Sequence, residues 1–152
     1  MLLTASIAYR RPYIMLTNGE VRIYSSHESS TFLLTYIHSV NQSPVTEVYE
    51  IRQGQIVLVS LEFESFGAGM PTVLEPGQEF LRLPGGGMRI ENFNRVIGEE
   101  LRVMAGYGLS QIFLFSGTHR VMFDDVAEPG QVVRVSFRWL NLWQRLYFLF
   151  IS

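Results

Sequence analysis

Val45-Thr46-Glu47-Val48-Tyr49-Glu50-Ile51-Arg52-Gln53-Gly54-Gln55-Ile56-Val57-Leu58-Val59-Ser60-Leu61-Glu62-Phe63 reads as two strands about one tight turn. Both arms are rich in β-branched and aromatic residues, and Gln53-Gly54 interrupts them where the chain must reverse. Working backwards, Thr31-Phe32-Leu33-Leu34-Thr35-Tyr36-Ile37-His38 is a third strand, joined through a loop that ends at Pro44. Before a polar loop over 25–30, Tyr13-Ile14-Met15-Leu16-Thr17 and Glu20-Val21-Arg22-Ile23-Tyr24 flank Asn18-Gly19. That dipeptide suits a type I′ hairpin turn. Five strands joined by short turns predict an antiparallel meander.

Downstream, Phe80-Leu81-Arg82-Leu83 and Met88-Arg89-Ile90-Glu91-Asn92-Phe93 bracket Pro84-Gly85-Gly86-Gly87. Gln111-Ile112-Phe113-Leu114-Phe115, Arg120-Val121-Met122-Phe123 and Val132-Val133-Arg134-Val135-Ser136-Phe137 follow, with Pro129-Gly130 as a turn. Residues 94–104 fit a helix through Ile97, Leu101 and Met104, or a strand at their end. The expectation is an all-β single domain over 1–152, a β-sandwich or flattened barrel of about eight to ten short strands. Residues 1–11 are expected to be a remnant or flexible N-terminus, 12–138 the sandwich, and 139–151 a short amphipathic helix. In that last stretch Trp139, Leu142, Trp143, Leu146 and Phe150 fall at helical spacing. Such a helix either closes an open end of the core or docks on a membrane surface or partner. It is too short to span a bilayer.

The 152 residues are 47% hydrophobic and 17% charged, enough for one core. All 12 basic residues are arginine, against 14 acidic residues, for a net charge of −2. With neither lysine nor cysteine, Schiff-base and phosphate-loop lysines, thiolate nucleophiles and thiolate zinc cages are excluded. The acidic balance gives no support to a nucleic-acid surface. The opening residues are far short of a spanning length and lack the basic start of a complete secretory leader, leaving a cytoplasmic protein or an exported domain without its leader.

Of three histidines, His27 and His119 read as solvated loop residues without metal-motif spacing; no metal or cofactor is called for. Only Asp124 and Asp125 are aspartates, so carboxylate chemistry falls to glutamates. His38 ends an apolar strand, and an antiparallel partner through Pro44 is expected to bring Glu47 near it. A histidine bonded to a carboxylate could tie a hairpin, bind an anion or act as a base. Ser65-Phe66-Gly67-Ala68-Gly69-Met70-Pro71 is either a corner where the chain changes sheets or a nest of amides for an anion.

With Tyr36-Ile37-His38-Ser39-Val40, Ser43-Pro44-Val45, Glu47 and Phe66-Gly67-Ala68-Gly69-Met70-Pro71, the sequence resembles a bacterial family catalogued as domain of unknown function 1850. The resemblance implies a small exported protein, encoded beside a TAXI-type TRAP transporter for organic acids. It singles out His38, Ser39, Glu47, Gly67, Gly69 and Pro71, next to which Ala68 and Met70 complete the corner. Partners implied are a TRAP membrane or receptor subunit and a small organic anion, on the extracytoplasmic side. Three readings follow: a binding module of such a transporter, a small hydrolase or isomerase using His38 and Glu47 with a Gly-rich oxyanion turn, or motifs that only shape an interaction domain. The binding module is preferred over an enzyme because no nucleophile motif occurs.

Overall fold

The computed structural model describes residues 9–25, 31–66, 69–107, 111–115 and 119–150. Among these residues, eleven strands form two antiparallel sheets. They are β1 (Arg10–Asn18), β2 (Glu20–Ser25), β3 (Thr31–Ile37), β4 (Pro44–Arg52), β5 (Gln55–Phe63), β6 (Glu79–Arg82), β7 (Met88–Gly98), β8 (Glu100–Met104), β9 (Gln111–Phe115), β10 (His119–Met122) and β11 (Val132–Asn141). A 3₁₀ turn (Phe123–Asp125) follows β10, and the helix α1 (Leu142–Phe150) follows β11. The small sheet has the order β2-β1-β11-β8 and the large one β10-β9-β3-β4-β5-β7-β6. The architecture is a sandwich, and neither sheet closes into a barrel.

The expected five-strand meander is divided between the sheets. β1 and β2 form a hairpin in the small sheet, and β3, β4 and β5 form a meander in the large one. Residues 94–104, ambiguous in sequence, are the end of β7 and all of β8, parted at Gly98 (φ 117°). Type I′ geometry is found at Gln53-Gly54, where both residues have positive φ and Arg52 pairs with Gln55. At Asn18-Gly19 only the glycine has positive φ. Asn18 instead extends its amide to the Val126 carbonyl (3.1 Å) and to Gln131 Oε1 (2.8 Å), so the turn is shaped by the segment it touches.

Alternation puts Ile14 and Leu16 of β1 and Val133, Val135 and Phe137 of β11 on the face opposing Phe32, Leu34, Ile56 and Phe113 of the large sheet. This is the main core. β5 carries a bulge: Ser60 opposes Val48 and Leu58 opposes Tyr49, so Val59 has no register partner on β4. The extra residue lets Leu58 and Leu61, three apart, both point inward.

A second cluster, Val45, Leu61, Phe63, Met88 and Ile90, belongs entirely to the large sheet. Met70 and Phe80 pack on it, so the segment after β5 covers what the narrower small sheet does not reach. Phe66 extends that cover, edge-on to Phe63 (5.2 Å) and stacked on Phe80 (6.1 Å). A third cluster, Tyr13, Met15 and Leu140 with Phe148, lies on the outer face of the small sheet under α1.

Both chain ends depart from expectation. Arg10 and Arg11, expected in a flexible N-terminus, pair in register with Asn141 and Leu140. Trp139, Leu140 and Asn141, expected in the helix, continue β11, and α1 begins at Leu142. Asn141 Oδ1 accepts the Gln144 amide (2.9 Å), while Gln144 Oε1 accepts the Asn141 amide (3.0 Å). This reciprocal capping box halts the strand and starts the helix.

Candidate functional site

β3 ends at Ile37, and residues 38–43 carry the chain into β4 through a turn closed by backbone bonds. The His38 amide donates to the Ser43 carbonyl (2.9 Å) and the Gln42 amide to the His38 carbonyl (2.9 Å). Gln42 sits at φ 51°, steadied by its own side-chain bond to the Ser39 carbonyl (2.6 Å). Within this turn the His38 ring folds back on its own loop. Nδ1 accepts from the amides of Val40 (3.3 Å) and Asn41 (3.4 Å). Such acceptance assigns the proton of the neutral ring to Nε2, leaving one outward-directed N–H donor.

That donor faces the Gly-rich corner. A Cβ on Gly69, which has φ 88°, would lie 3.7 Å from His38 Nε2. The two segments are joined further by Asn41 Nδ2 donating to the Ser65 carbonyl (3.4 Å) and by the Ser43 and Ser65 hydroxyls 3.5 Å apart. Met70 anchors the corner on the second core cluster, and Pro71 is partly buried beside it. Ser39 is exposed. Gly67 and Ala68, the centre of the expected amide nest, lie outside the described residues, as does His27. His119, expected in a solvated loop, opens β10 and meets the Tyr24 ring edge-on (6.2 Å).

Glu47 is not brought to His38. The register sets Glu47 opposite Leu34 on β3 and Leu61 on β5, inside the sandwich, and Val45 opposite Tyr36. Its carboxylate accepts from Tyr49 OH on Oε2 (2.6 Å) and from Tyr36 OH on Oε1 (3.3 Å). Burial pushes its carboxyl above the usual carboxylate range, and the two hydroxyl bonds oppose that rise without cancelling it. Burial and the neighbouring carboxylate push both tyrosine hydroxyls well up, so they remain donors. Tyr49 also stacks on Phe32 (5.0 Å). The histidine–carboxylate dyad on which the hydrolase reading depended is replaced by two separate arrangements, a His38 turn and a Tyr36–Glu47–Tyr49 network. Sequence reasoning assigned no role to the hydroxyls of Tyr36 and Tyr49. Tyr49 stands at the same-face spacing from Glu47.

An open cleft of about 520 Å³ adjoins the corner, lined by Pro44, Thr46, Glu62, Glu64 and residues 84–87. Glu62 is already paired with Arg89 (2.7 Å). Among the described residues no arginine bonds at the His38 corner itself, which therefore offers N–H and O–H donors in place of a fixed positive charge. Among the described residues no group of three His, Cys, Asp or Glu could hold a metal ion.

The stretch that carries these residues, 32–121, matches the family model of a domain of unknown function, DUF1850. No curated protein and no solved structure matches the chain. With more than half its length covered, including His38, Glu47 and the 65–71 corner, the chain belongs to the DUF1850 family.

Proposed function

We propose that the protein is an extracytoplasmic binding module working beside a TRAP-type organic-acid transporter of the TAXI class, and that it holds a small organic anion at the His38–Gly69 corner. The approach of His38 Nε2 to Gly69 carries this reading, because it joins two stretches about thirty residues apart around one outward N–H. The chemistry supports holding over turnover. Nδ1 is occupied by two amides, so the neutral ring is a donor with no free lone pair for proton abstraction. Glu47, on the inward face, is occupied by tyrosines. The family resemblance supports the transporter context and the extracytoplasmic side.

Thermal unfolding with a panel of small mono- and dicarboxylates tests the reading. A bound carboxylate at one hundred times its Kd raises stability by about 2.7 kcal/mol, and His38→Ala should abolish that gain. Since hydrogen bonds and not arginines hold the ligand, its affinity should change little with salt. No stabilisation by any carboxylate, or an equal one in His38→Ala, would sink the anion site. Failure to co-purify with transporter subunits from detergent-solubilised membranes would remove the transporter assignment.

A further inference from the structure

Helix α1 is turned inside out. Phe148 packs on Tyr13, Met15 and Leu140, and the Arg145 guanidinium lies 5.2 Å over the Tyr13 ring with its Nε buried and unpartnered. Of the apolar stripe read from the sequence, the four residues that fall in α1 point the other way: Trp143 is 52% exposed and Phe150 84%, with Leu142 and Leu146 also exposed, and Tyr147, off that stripe, is 62% exposed beside them. A helix that served only to close a core would present these residues inward and Arg145 outward.

The sheet beneath is as unusual in charge. β1, β2, β8, β11 and α1 together carry seven arginines against two glutamates, whereas the rest of the chain carries five arginines against twelve acidic residues. On the outer face that α1 shares, Arg138 opposes Tyr13, Arg134 opposes Thr17, and Arg102 directly opposes Arg134. Like charges set opposite each other on one face weaken a sheet. Glu100 takes one of them, Arg102 (2.7 Å), and Glu99 lies 3.3 Å from Arg138. A groove of about 570 Å³ brings the two features together, with Arg138, Trp143 and Tyr147 all in its lining.

We infer that this face docks on an anionic lipid bilayer, α1 lying in the interface with Trp143, Leu146 and Phe150 among the acyl chains and Arg102, Arg134 and Arg138 against the headgroups. Aromatic residues at the water–lipid boundary and arginines facing negative lipid supply the two terms that bind peripheral proteins. The net-negative remainder of the molecule would be repelled by the same surface, which orients the His38 corner independently of any ligand there. Trp139, expected on the same stripe, takes no part. It continues β11 on the parity of Phe137, whose ring it meets edge-on (5.9 Å).

The test is flotation of the full chain with vesicles of phosphatidylcholine, alone or mixed with phosphatidylglycerol. Trp139→Phe leaves Trp143 as the only tryptophan to report. We expect binding to the mixed vesicles only, with a blue shift of Trp143 emission. Arg102→Gln and Arg134→Gln should each weaken binding about fivefold, and Phe150→Ser about tenfold, in proteins whose circular dichroism matches the parent. Equal binding to both vesicles, unchanged Trp143 emission, retention only on membranes containing transporter protein, or a dimer that shifts Trp143 without lipid would each overturn the assignment.

Discussion

At the scale of the residue, Glu47 is the most informative side chain, because a carboxylate on the inward face of a sheet must be compensated. Tyr49 and Tyr36 supply the bonds, and burial still raises the carboxyl above its ordinary value of 4.5. The folded state therefore binds this proton more tightly than the unfolded chain does. The group's contribution to stability is complete below pH 4.5 and is lost as pH rises through the raised value. Urea midpoints measured in pH steps should fall over that interval in the parent and stay flatter in Glu47→Gln. An identical slope in the variant would assign the dependence elsewhere. Tyr49→Phe, which strips the shorter bond from a buried oxygen, should lower stability by about 1–3 kcal/mol. The pairing of these residues was only half legible. Alternation puts Glu47 and Tyr49 on one face, but which strand lies opposite, and that Tyr36 reaches across, depends on register.

At the scale of the element, the junction of β11 and α1 shows how local chemistry overrides a periodic pattern. Trp139 fits the helical stripe in spacing, yet the reciprocal bonds of Asn141 and Gln144 set the helix start at Leu142, three residues later. The Asn-x-x-Gln spacing was readable as a cap, and the apolar periodicity obscured it. Asn141→Ala should cost about 1 kcal/mol of helix stability, seen as faster amide hydrogen exchange in α1 with β11 protection retained. Equal loss in both would mean that helix and strand unfold together. The hairpin turns make the same point. Gln53-Gly54 adopts the two left-handed residues a short hairpin requires, while Asn18, the more favoured residue for that turn, is held by contacts with residues 126 and 131.

At the scale of the whole molecule, the two sheets are joined by an aromatic core and separated in charge. Phe113 is fully buried, stacked on Phe123 (4.7 Å) and Phe115 (5.7 Å) and edge-on to Phe32 (6.4 Å). Phe113→Ala should destabilise the domain by about 3–5 kcal/mol, read as a fall in the urea midpoint of one cooperative transition. A separate early transition in the small sheet would mean that the sheets do not unfold as one unit. The charge division reaches beyond stability. Arginines gathered beside an outward-facing aromatic helix make one side of the sandwich suited to a negative surface, and the His38 corner lies on loops of the other sheet.

The sequence alone determined the strand-rich architecture, because period-two alternation and turn residues act over a few neighbours. It also determined the reactive inventory, since a chain without lysine or cysteine cannot recover their chemistry by folding. It brought His38 and the 65–71 corner forward as two separate blocks. Only the tertiary structure decided that these blocks meet, that Glu47 turns to tyrosines, and that α1 shows its aromatic face to the outside. Each of those outcomes depends on pairings between distant segments. Arg10 beside Asn141 is the extreme case, and there the register of one strand sets the side on which every later residue falls.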